Sequence, residues 1–443
     1  MTTAAAVAPI GAHQLLIFLI QLGLLLVLAL LLGRLATALR LPAVVGELCV
    51  GVLLGPTLLG HVAPGVSAWL LPTNPDQFHL LDAVGQFGLV GLVGVTGIEV
   101  DLRMVWRQRT AALRVGGAGL LIPFGLGLGA GLLLPAELLA KTGDRLVFAM
   151  FLGVALCVSA IPVIAKTLAD MHLLHRNIGQ LTLAAGTVDD VFGWLMLSVV
   201  AAMATGGVRA GAIGFSVLWL AVVVVVAITV GRPLVRMVLC RLGRCRDAGP
   251  SVVGAVIIVT LCAAATQALG FEAAFGAFLG GVLIGSSGAV DLAKLAPLRV
   301  VVMAVFAPLF FATVGLRIDL SVLGQPLVLV TAAAVLAVAV VGKFTGAGLG
   351  ALASRLNGWE SLAIGAGMNA RGVIQIVVAT VGLQLGVLTT ATYTIVILVA
   401  IVTSLMTAPI LGFAMRRVEQ TAEEELRHRE HAVFLGQTGD NRP

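Results

Sequence analysis

Apolar segments of about 20 residues recur along the whole sequence, and only short polar loops separate them. A helix needs roughly 20 apolar residues to cross a lipid bilayer. Hydrophobic residues make up 59% of the chain and charged residues only 11%, whereas a soluble domain carries about 25% charged residues. No fold in water could bury this much apolar surface, so the pattern predicts an all-α polytopic membrane protein.

We predict thirteen transmembrane helices from these segments. They cover residues 13–33, 42–60, 80–101, 111–136, 146–170, 178–203, 211–235, 250–269, 272–287, 298–316, 326–353, 358–383 and 388–415. The first segment is not expected to be a cleaved signal peptide, because no lysine or arginine precedes it and Arg34 and Arg40 follow it. Residues 416–443 then form a short charged tail.

Lysine and arginine are distributed unevenly between the predicted loops. With the N-terminus outside, the outer loops contain only Lys141, Arg145, Arg209 and Arg317, and the other basic clusters fall in the inner loops. Positive residues concentrate in the cytoplasmic loops of membrane proteins. We therefore expect the N-terminus outside, the C-terminal tail in the cytoplasm, and a location in the bacterial plasma (inner) membrane.

The sequence lacks the motifs of several other functions. Its net charge of +6 is dispersed among short loops and forms no basic domain for nucleic acid. It contains no phosphate-binding loop, no dinucleotide-binding glycine motif and no zinc-ligand spacing. We therefore expect no enzyme activity, no cofactor and no nucleic-acid partner, which leaves small ions and membrane lipid as partners.

Two short stretches of the first half recur in the second half. Three glycines of the second span match three of the ninth, 230 residues later: Gly46, Gly51 and Gly55 with Gly276, Gly281 and Gly285. Residues 159–164 of the fifth span match residues 369–374 of the twelfth. Both matches are seven spans apart, and an odd offset places the two copies in opposite orientations. Inverted repeats are characteristic of alternating-access transporters.

The matched fifth and twelfth spans both contain helix-breaking residues at mid-depth. Pro162 lacks a backbone N–H, and Asn369, Arg371 and Gly372 interrupt an otherwise apolar stretch. Interrupted spans at matching positions indicate a binding site in transporters. The alternative is an ordinary proline kink with a packing glycine, which leaves Arg371 unexplained.

Asp189 and Asp190 lie together at the middle of the apolar sixth span. An ionisable group at this depth costs about 2.5–3.5 kcal/mol or more and is usually functional. Adjacent helical residues point about 100° apart, so one carboxylate can face a cavity while the other faces a neighbouring helix. Two carboxylates this close resist full ionisation, so one is poised to hold a proton. The alternative is a pair of structural acids satisfied by helix partners.

Lys343 is the only one of four lysines that lies deep within an apolar span, the eleventh. Its depth is comparable with that of the aspartates, so we predict an ion pair between Asp189 and Lys343 that leaves Asp190 for transport. The alternative is a lysine that extends to the membrane surface. Glu47, in the second span, is a further candidate that could line a funnel or cap a broken helix, although a packing role is the simpler interpretation.

These residues stand in motifs that resemble those of the monovalent cation:proton antiporters. The resemblance is to the branch of Kef-like and bacterial sodium/proton exchangers and plant cation/proton exchangers, and it covers about residues 13–415. The matching stretches are 41–47, 54–56, 159–165, 188–191, 308–316, 342–343 and 368–372.

The resemblance implies an inverted-repeat sodium/proton antiporter fold in which the fifth and twelfth spans are two crossed discontinuous helices. It also implies a homodimer. The core helices would be about 111–203 and 326–415, the dimerisation helices about 13–101 and 250–316, and the linker helix about 211–235. In the family, the aspartate at the position of Asp190 binds the ion, and the preceding aspartate pairs with the lysine.

We group the candidate site residues by role. The ion- and proton-binding residues are Asp190, Asp189, Thr187 and Ser159; the coupled charge is Lys343; the charges and supports of the broken helices are Arg371, Asn369, Pro162 and Glu47; and the ligand of a monovalent metal cation is Asp190. The sequence departs from many relatives at Gln375, where they carry a glutamate that could pair with the arginine. The short tail lacks a nucleotide-binding domain of the Kef type, so we expect no such ligand gating.

The expected function is secondary active antiport of a monovalent cation, Na⁺ before K⁺ or Li⁺, against protons at one site. Two acids, as opposed to an Asn–Asp pair, resemble the electrogenic members, and pH homeostasis is the expected role. The alternatives are a K⁺/H⁺ antiporter of the same fold and a sodium-coupled symporter of an organic anion. Only Arg371 and Lys343 are deep basic residues, which argues against an anion pocket.

Overall fold

The structure is a computed structural model, and it describes residues 10–39, 41–71, 75–100, 109–140, 144–171, 173, 175–206, 210–243, 247–288, 292–421 and 424. Helices dominate this part of the chain, and its only β-type pairing is an isolated bridge between Leu139 and Leu388.

Within its described residues, the first half of the chain contains nine longer helical segments and two short helices at Leu59–Val62 and Pro64–Leu70. The segments are α1 (Ala12–Ala38), α2 (Ala43–Leu54), α3 (Pro75–Glu99), α4 (Arg109–Leu133), α5 (Arg145–Cys157), α6 (Ile161–Asp170), α7 (Asn177–Gly206), α8 (Ala210–Val226) and α9 (Arg232–Leu242). A π-helical turn, Ala227–Gly231, joins α8 to α9.

In the part of the second half that the structure describes, eight segments are α-helical. They are α10 (Gly249–Ala268), α11 (Ala273–Ser287), α12 (Ala296–Val301), α13 (Ala307–Gly315), α14 (Pro326–Ala353), α15 (Gly358–Met368), α16 (Val373–Gln384) and α17 (Thr390–Met415). A second π-helical turn, Val302–Phe306, joins α12 to α13.

The predicted all-α polytopic fold is confirmed. Among the described residues, ten helices are long and apolar enough to cross a membrane, and the bent pair α15–α16 makes eleven. The other two predicted spans are helical but do not meet that length: one is divided into α5 and α6, and α11 has only 15 residues. Thirteen spans therefore remain a prediction.

The chain forms two compact units. One comprises residues 1–92 with 297–321, and the other comprises residues 93–296 with 322–443. Each unit is a set of helices that pack densely on one another. The predicted division into core, dimerisation and linker helices concerns motion and assembly, and it stays a prediction.

Matching glycines of the predicted repeat make the same kind of close approach in each unit. In the first unit, a Cβ on Gly51 of α2 would collide with the backbone of α13 at Gly315. In the second unit, a Cβ on Gly281 of α11 would collide with the backbone of α3 at Gly94. Small residues allow helices in lipid to pack this closely, so the sequence repeat corresponds to a repeated packing arrangement.

Small residues also bring α14 against α4. Gly342, Gly346 and Gly350 follow one another at intervals of four residues, and each lies directly against the backbone of α4. This GxxxG spacing is a common feature of helix contacts in membranes. Because Lys343 follows the first of these glycines, the contact holds the lysine close to α4.

The described end of the tail is bound to the start of α7. Glu424 is 2% exposed, and its carboxylate lies 3.2 Å from Arg176 Nε and accepts a hydrogen bond of 2.6 Å from the Asn177 N–H. Burial opposes ionisation, but the backbone N–H groups of Thr421 and Asn177 together with Arg176 outweigh it and lower the pKa of Glu424. Residues 425–443 of the predicted tail lie outside the described residues.

The packing of Gly281 yields a stability prediction. We expect Gly281→Ala to lower the melting temperature in detergent, because the added methyl group meets the Gly94 carbonyl and such overpacking costs about 1–3 kcal/mol. Gly348→Ala is the matched control, because Gly348 is a helical glycine with nothing within 4 Å of an added Cβ. Alanine favours helix, so the control keeps or raises the melting temperature. Equal effects of the two substitutions on the melting temperature would contradict the close packing of Gly281 against Gly94.

Candidate functional site

Two interrupted helices meet at their breaks within the second unit. Residues 158–160 separate α5 from α6, and residues 369–372 separate α15 from α16, which are bent by 44°. The Ala160 N–H donates a 3.0 Å hydrogen bond to the Ala370 carbonyl. These two residues are equivalent in the predicted repeat, so the two breaks lie side by side. The crossing of the two helices stays a prediction.

Two buried cations lie at the C-terminal end of α5. Lys343 Nζ donates to the Cys157 carbonyl at 2.5 Å, and the Arg371 guanidinium donates to the Ala155 carbonyl at 3.2 Å. The last carbonyls of a helix have no intrahelical partner and carry partial negative charge. Arg371 also donates to the Ala339 carbonyl of α14 at 3.0 Å. The break in α5–α6 is therefore stabilised by positive charge from α14 and from the second break.

The predicted contact between Lys343 and Asp189 is present. Nζ lies 2.5 Å from Asp189 Oδ2, and both side chains are completely buried. Nζ also donates to the carbonyls of Gly119 at 3.0 Å and of Cys157 at 2.5 Å. An ammonium group has three hydrogens, so all three are used, and the charge is fully paired within the protein.

Ser159 connects Asp189 to the second break. Its Oγ lies 2.6 Å from Asp189 Oδ2 and 2.6 Å from the Met368 carbonyl at the end of α15. A hydroxyl carries a single hydrogen, so Ser159 donates to only one of these two acceptors at a time. The hydroxyl therefore couples the charge of Asp189 to the backbone of the second interrupted helix.

Asp190 has a different environment from Asp189. The side chain is 1% exposed, and within the described residues neither carboxylate oxygen has a hydrogen-bond partner. The Ile161 N–H at the start of α6 still stabilises the charge of the carboxylate. A buried carboxylate without partners is costly. Two unpaired oxygens in an otherwise apolar helix are suited to take up a proton or a cation.

Asn369 and Gln375 each leave a further oxygen without a partner. The Asn369 amide donates to the Thr403 carbonyl at 3.4 Å, and the Gln375 amide donates to the Val396 carbonyl at 3.0 Å. Both side chains are buried, and both amide oxygens lack a described partner. Gln375 therefore holds α16 to α17 as a neutral group, where a glutamate would add a charge.

Ser404 is a site residue that the sequence analysis missed. Its Oγ donates to the Arg371 carbonyl at 2.5 Å and accepts from the Arg371 N–H at 3.3 Å. The hydroxyl thus satisfies both backbone groups of a residue in the second break. Polar residues in an apolar span are a detectable signal, but the hydroxyl of the adjacent Thr403 bonds carbonyls of its own helix. The signal therefore does not distinguish Ser404 from Thr403.

The remaining predicted site residues, Thr187, Pro162 and Glu47, lie in three different helices. Thr187 is buried one turn before Asp190 and donates to the Leu183 carbonyl at 3.0 Å, so its oxygen can still accept. Pro162 is the second residue of α6, and its side chain lies outside the described part. Glu47 belongs to the first unit, where it is half-buried and faces Gly33 of α1.

Comparison with known proteins assigns the family. The sequence profile described as "Sodium/hydrogen exchanger, transmembrane" matches residues 24–416. The chain belongs to this family.

Among relatives, the chain is 28% identical over 401 residues to the Na⁺/H⁺ antiporter NhaS4 of Synechocystis, which covers 90% of this chain and 97% of the relative. It is 30% identical over 424 residues to cation/H⁺ antiporter 18 of Arabidopsis thaliana, covering 94% of this chain. The chain spans about half (51%) of the length of that plant relative.

The solved sodium proton antiporter MjNhaP1 of Methanocaldococcus jannaschii superimposes with a TM-score of 0.68 over 91% of this chain and 99% of the other, at 18% identity. This similarity establishes a shared fold.

The buried ion pair yields a second prediction. We expect Lys343→Met to lower the stability by about 3–5 kcal/mol, because it leaves Asp189 buried without its cation. Asp189→Asn in addition removes the unpaired charge, so the double variant regains most of the loss. Thermal unfolding in lipid nanodiscs measures both changes. A double variant as unstable as Lys343→Met would show that packing, and not charge, explains the effect.

Proposed function

We propose that this chain is a secondary active antiporter that exchanges a monovalent cation, Na⁺ first, for protons. The observation that carries the proposal is the carboxylate of Asp190, which is buried beside the break of α5–α6 and has no described hydrogen-bond partner. A proton or a cation could each satisfy this carboxylate, and a site that accepts either one but not both exchanges them by competition.

The cycle follows from the charge of that site. When a proton neutralises Asp190, the exchange site carries no unpaired charge and can change its exposure at low cost. When a cation replaces the proton, its charge balances the carboxylate in the same way. An empty, ionised site is the costly state, because a lone charge in a medium of low dielectric is strongly disfavoured. This difference prevents the site from returning empty and couples the two fluxes.

Oxygen atoms near Asp190 complete the proposed cation site. The hydroxyls of Thr187 and Ser159 each retain acceptor capacity, and the breaks contain backbone carbonyls outside regular helix. Unwound backbone at midplane coordinates cations in transporters of the inverted-repeat type. Among the described residues no three His, Cys, Asp or Glu side chains lie together. One carboxylate with neutral oxygens suits a monovalent ion.

Asp189 and Lys343 have a supporting role in this proposal. Their charges cancel, so the pair keeps Asp189 from competing for the cation. When a cation binds the ionised Asp190 and Lys343 releases its proton, Asp189 is freed to help bind the cation. Exchange of two protons, one from Asp190 and one from Lys343, for one cation would be electrogenic. Potassium remains the alternative substrate, because carboxylate oxygens discriminate weakly between the two ions.

The remaining assignments belong to the same proposal. We propose a location in the bacterial plasma membrane with the N-terminus outside and the tail in the cytoplasm, as the loop charges favour. We also propose a homodimer, with Li⁺ as a further substrate and membrane lipid as the surrounding partner.

The first functional prediction concerns Asp190. In everted vesicles or proteoliposomes, we expect Asp190→Asn to abolish cation-dependent proton movement, because an amide cannot exchange a proton for a cation. Asp247→Asn is the matched control, since it makes the same chemical change at an exposed loop position. Undiminished exchange by Asp190→Asn, with Na⁺ and with K⁺, would refute the proposed site.

The second functional prediction concerns the charge moved per cycle. We expect Lys343→Arg to keep the ion pair but to make transport electroneutral, because arginine does not release its proton. Lys343→Ala is a second variant that lacks the proton altogether. Solid-supported-membrane currents, compared with the pH change in the same vesicles, give the ratio of protons to cations. A ratio and a current equal to those of the unaltered protein would exclude Lys343 as a proton carrier.

A further inference from the structure

The middle of α4 contains a proline in regular helix. Pro123 lies fourteen residues after the start of α4 at Arg109 and ten before its end at Leu133, and the helix continues on both sides. A proline has no N–H, so the carbonyl four residues earlier loses the donor that an α-helix would supply. That carbonyl belongs to Gly119. An unpaired carbonyl inside a membrane is costly unless another donor reaches it.

Lys343 supplies the missing donor. Its Nζ donates to the Gly119 carbonyl at 3.0 Å, from α14 across to α4. Gly119 has no side chain that could block this approach. The Cys157 carbonyl, which also accepts from Lys343, is likewise an unpaired carbonyl, in that case because α5 ends there. Both neutral acceptors of the lysine are therefore carbonyls released from helical hydrogen bonding.

A second contact places the proline itself beside the lysine. A Cβ on Gly342 would lie 3.0 Å from Pro123 Cα and 3.1 Å from Pro123 Cβ, so α14 lies directly against α4 at this proline. Gly342 immediately precedes Lys343. The same residue thus frees the Gly119 carbonyl and contacts the backbone from which Lys343 extends.

We propose that Pro123 is a positioning residue of the exchange site: by withholding a backbone N–H, it reserves the Gly119 carbonyl for Lys343 and so holds the lysine against Asp189. The role of Pro123 in transport rests on the antiport function proposed above. The missing amide hydrogen of Pro123 produces this effect on Lys343, and the pyrrolidine ring is less important for it.

The groups that face Lys343 are few. Asp189 from α7 pairs with it, Arg371 from the second break contributes repulsion, and the Cys157 side chain lies on α5. None of these can replace a backbone carbonyl as a neutral acceptor. If an N–H at position 123 also bonded the Gly119 carbonyl, the lysine would share that acceptor with a second donor.

The test compares two variants that differ in one group. Pro123→Ala adds an N–H that can bond the Gly119 carbonyl. Lactic acid at position 123, introduced as a backbone ester, has the same methyl side chain but no N–H. We expect the alanine variant to lose roughly tenfold in maximal exchange rate, as for one weakened hydrogen bond to a charged group. The ester variant should stay within about twofold of the unaltered protein on the same reasoning, and the KM for the cation should change little in both.

A stability cycle tests the inference without transport. Pro123→Ala is measured by thermal unfolding in the unaltered protein and again in Lys343→Met. In Lys343→Met the new helical hydrogen bond forms without competition, so the alanine raises the melting temperature. With Lys343 present, the alanine gives a smaller rise or a fall, because two donors share one carbonyl. Such non-additivity measures the coupling of the two residues.

The control is Pro409→Ala, which restores an N–H within α17 at an exposed position and should give equal changes in both backgrounds. Equal rates of the alanine and ester variants at position 123, or equal changes in melting temperature in the two backgrounds, would overturn the proposal. If the unaltered protein shows no exchange, the proposed function fails, and the stability cycle still decides the role of Pro123.

Discussion

A lipid bilayer offers no water to solvate a charge, so every ionised group at its centre needs partners from the protein itself. The arrangement around α5 meets this requirement for three charges. Lys343 and Asp189 pair with each other, and Arg371 bonds to carbonyls of α5 and α14. Asp190 alone among these four buried charges has no described hydrogen-bond partner. The breaks in the helices, and the helices that close around them, provide the partners for the other three and leave this carboxylate free for the exchange proposed above.

The sequence makes the charged residues of this site conspicuous because their surroundings are apolar. Asp189, Asp190, Lys343 and Arg371 could all be selected from one chain, since each would be costly at its depth without a function. The ion pair could be predicted because only one lysine lies at the depth of the aspartates. The repeat of residues 159–164 also indicated which two spans are interrupted.

The neutral partners could not be predicted, because the sequence does not show which hydroxyl or backbone carbonyl a buried charge or break will bond. Ser404, the Gly119 carbonyl and the Cys157 carbonyl become partners only when distant helices come together. Pro162 indicated a break but not its position: the chain leaves the helix at residues 158–160, and the proline stands within the first turn of α6, where its missing N–H costs nothing. Span lengths were equally inaccessible, since the short α11 and the divided α5–α6 depend on packing.

The bond between Glu424 and the start of α7 has a consequence for the ends of the chain. The helix that carries Asp189 and Asp190 begins at Asn177, and its first N–H is bonded by a carboxylate nearly 250 positions away in the sequence, in the tail. A reporter fused after Val418 in place of the tail would remove this anion and leave Arg176 uncompensated at the same point. A reporter attached beyond Glu424 would keep both. The choice of fusion point therefore decides whether measurements on a tagged protein describe α7 with its counter-charge or without it.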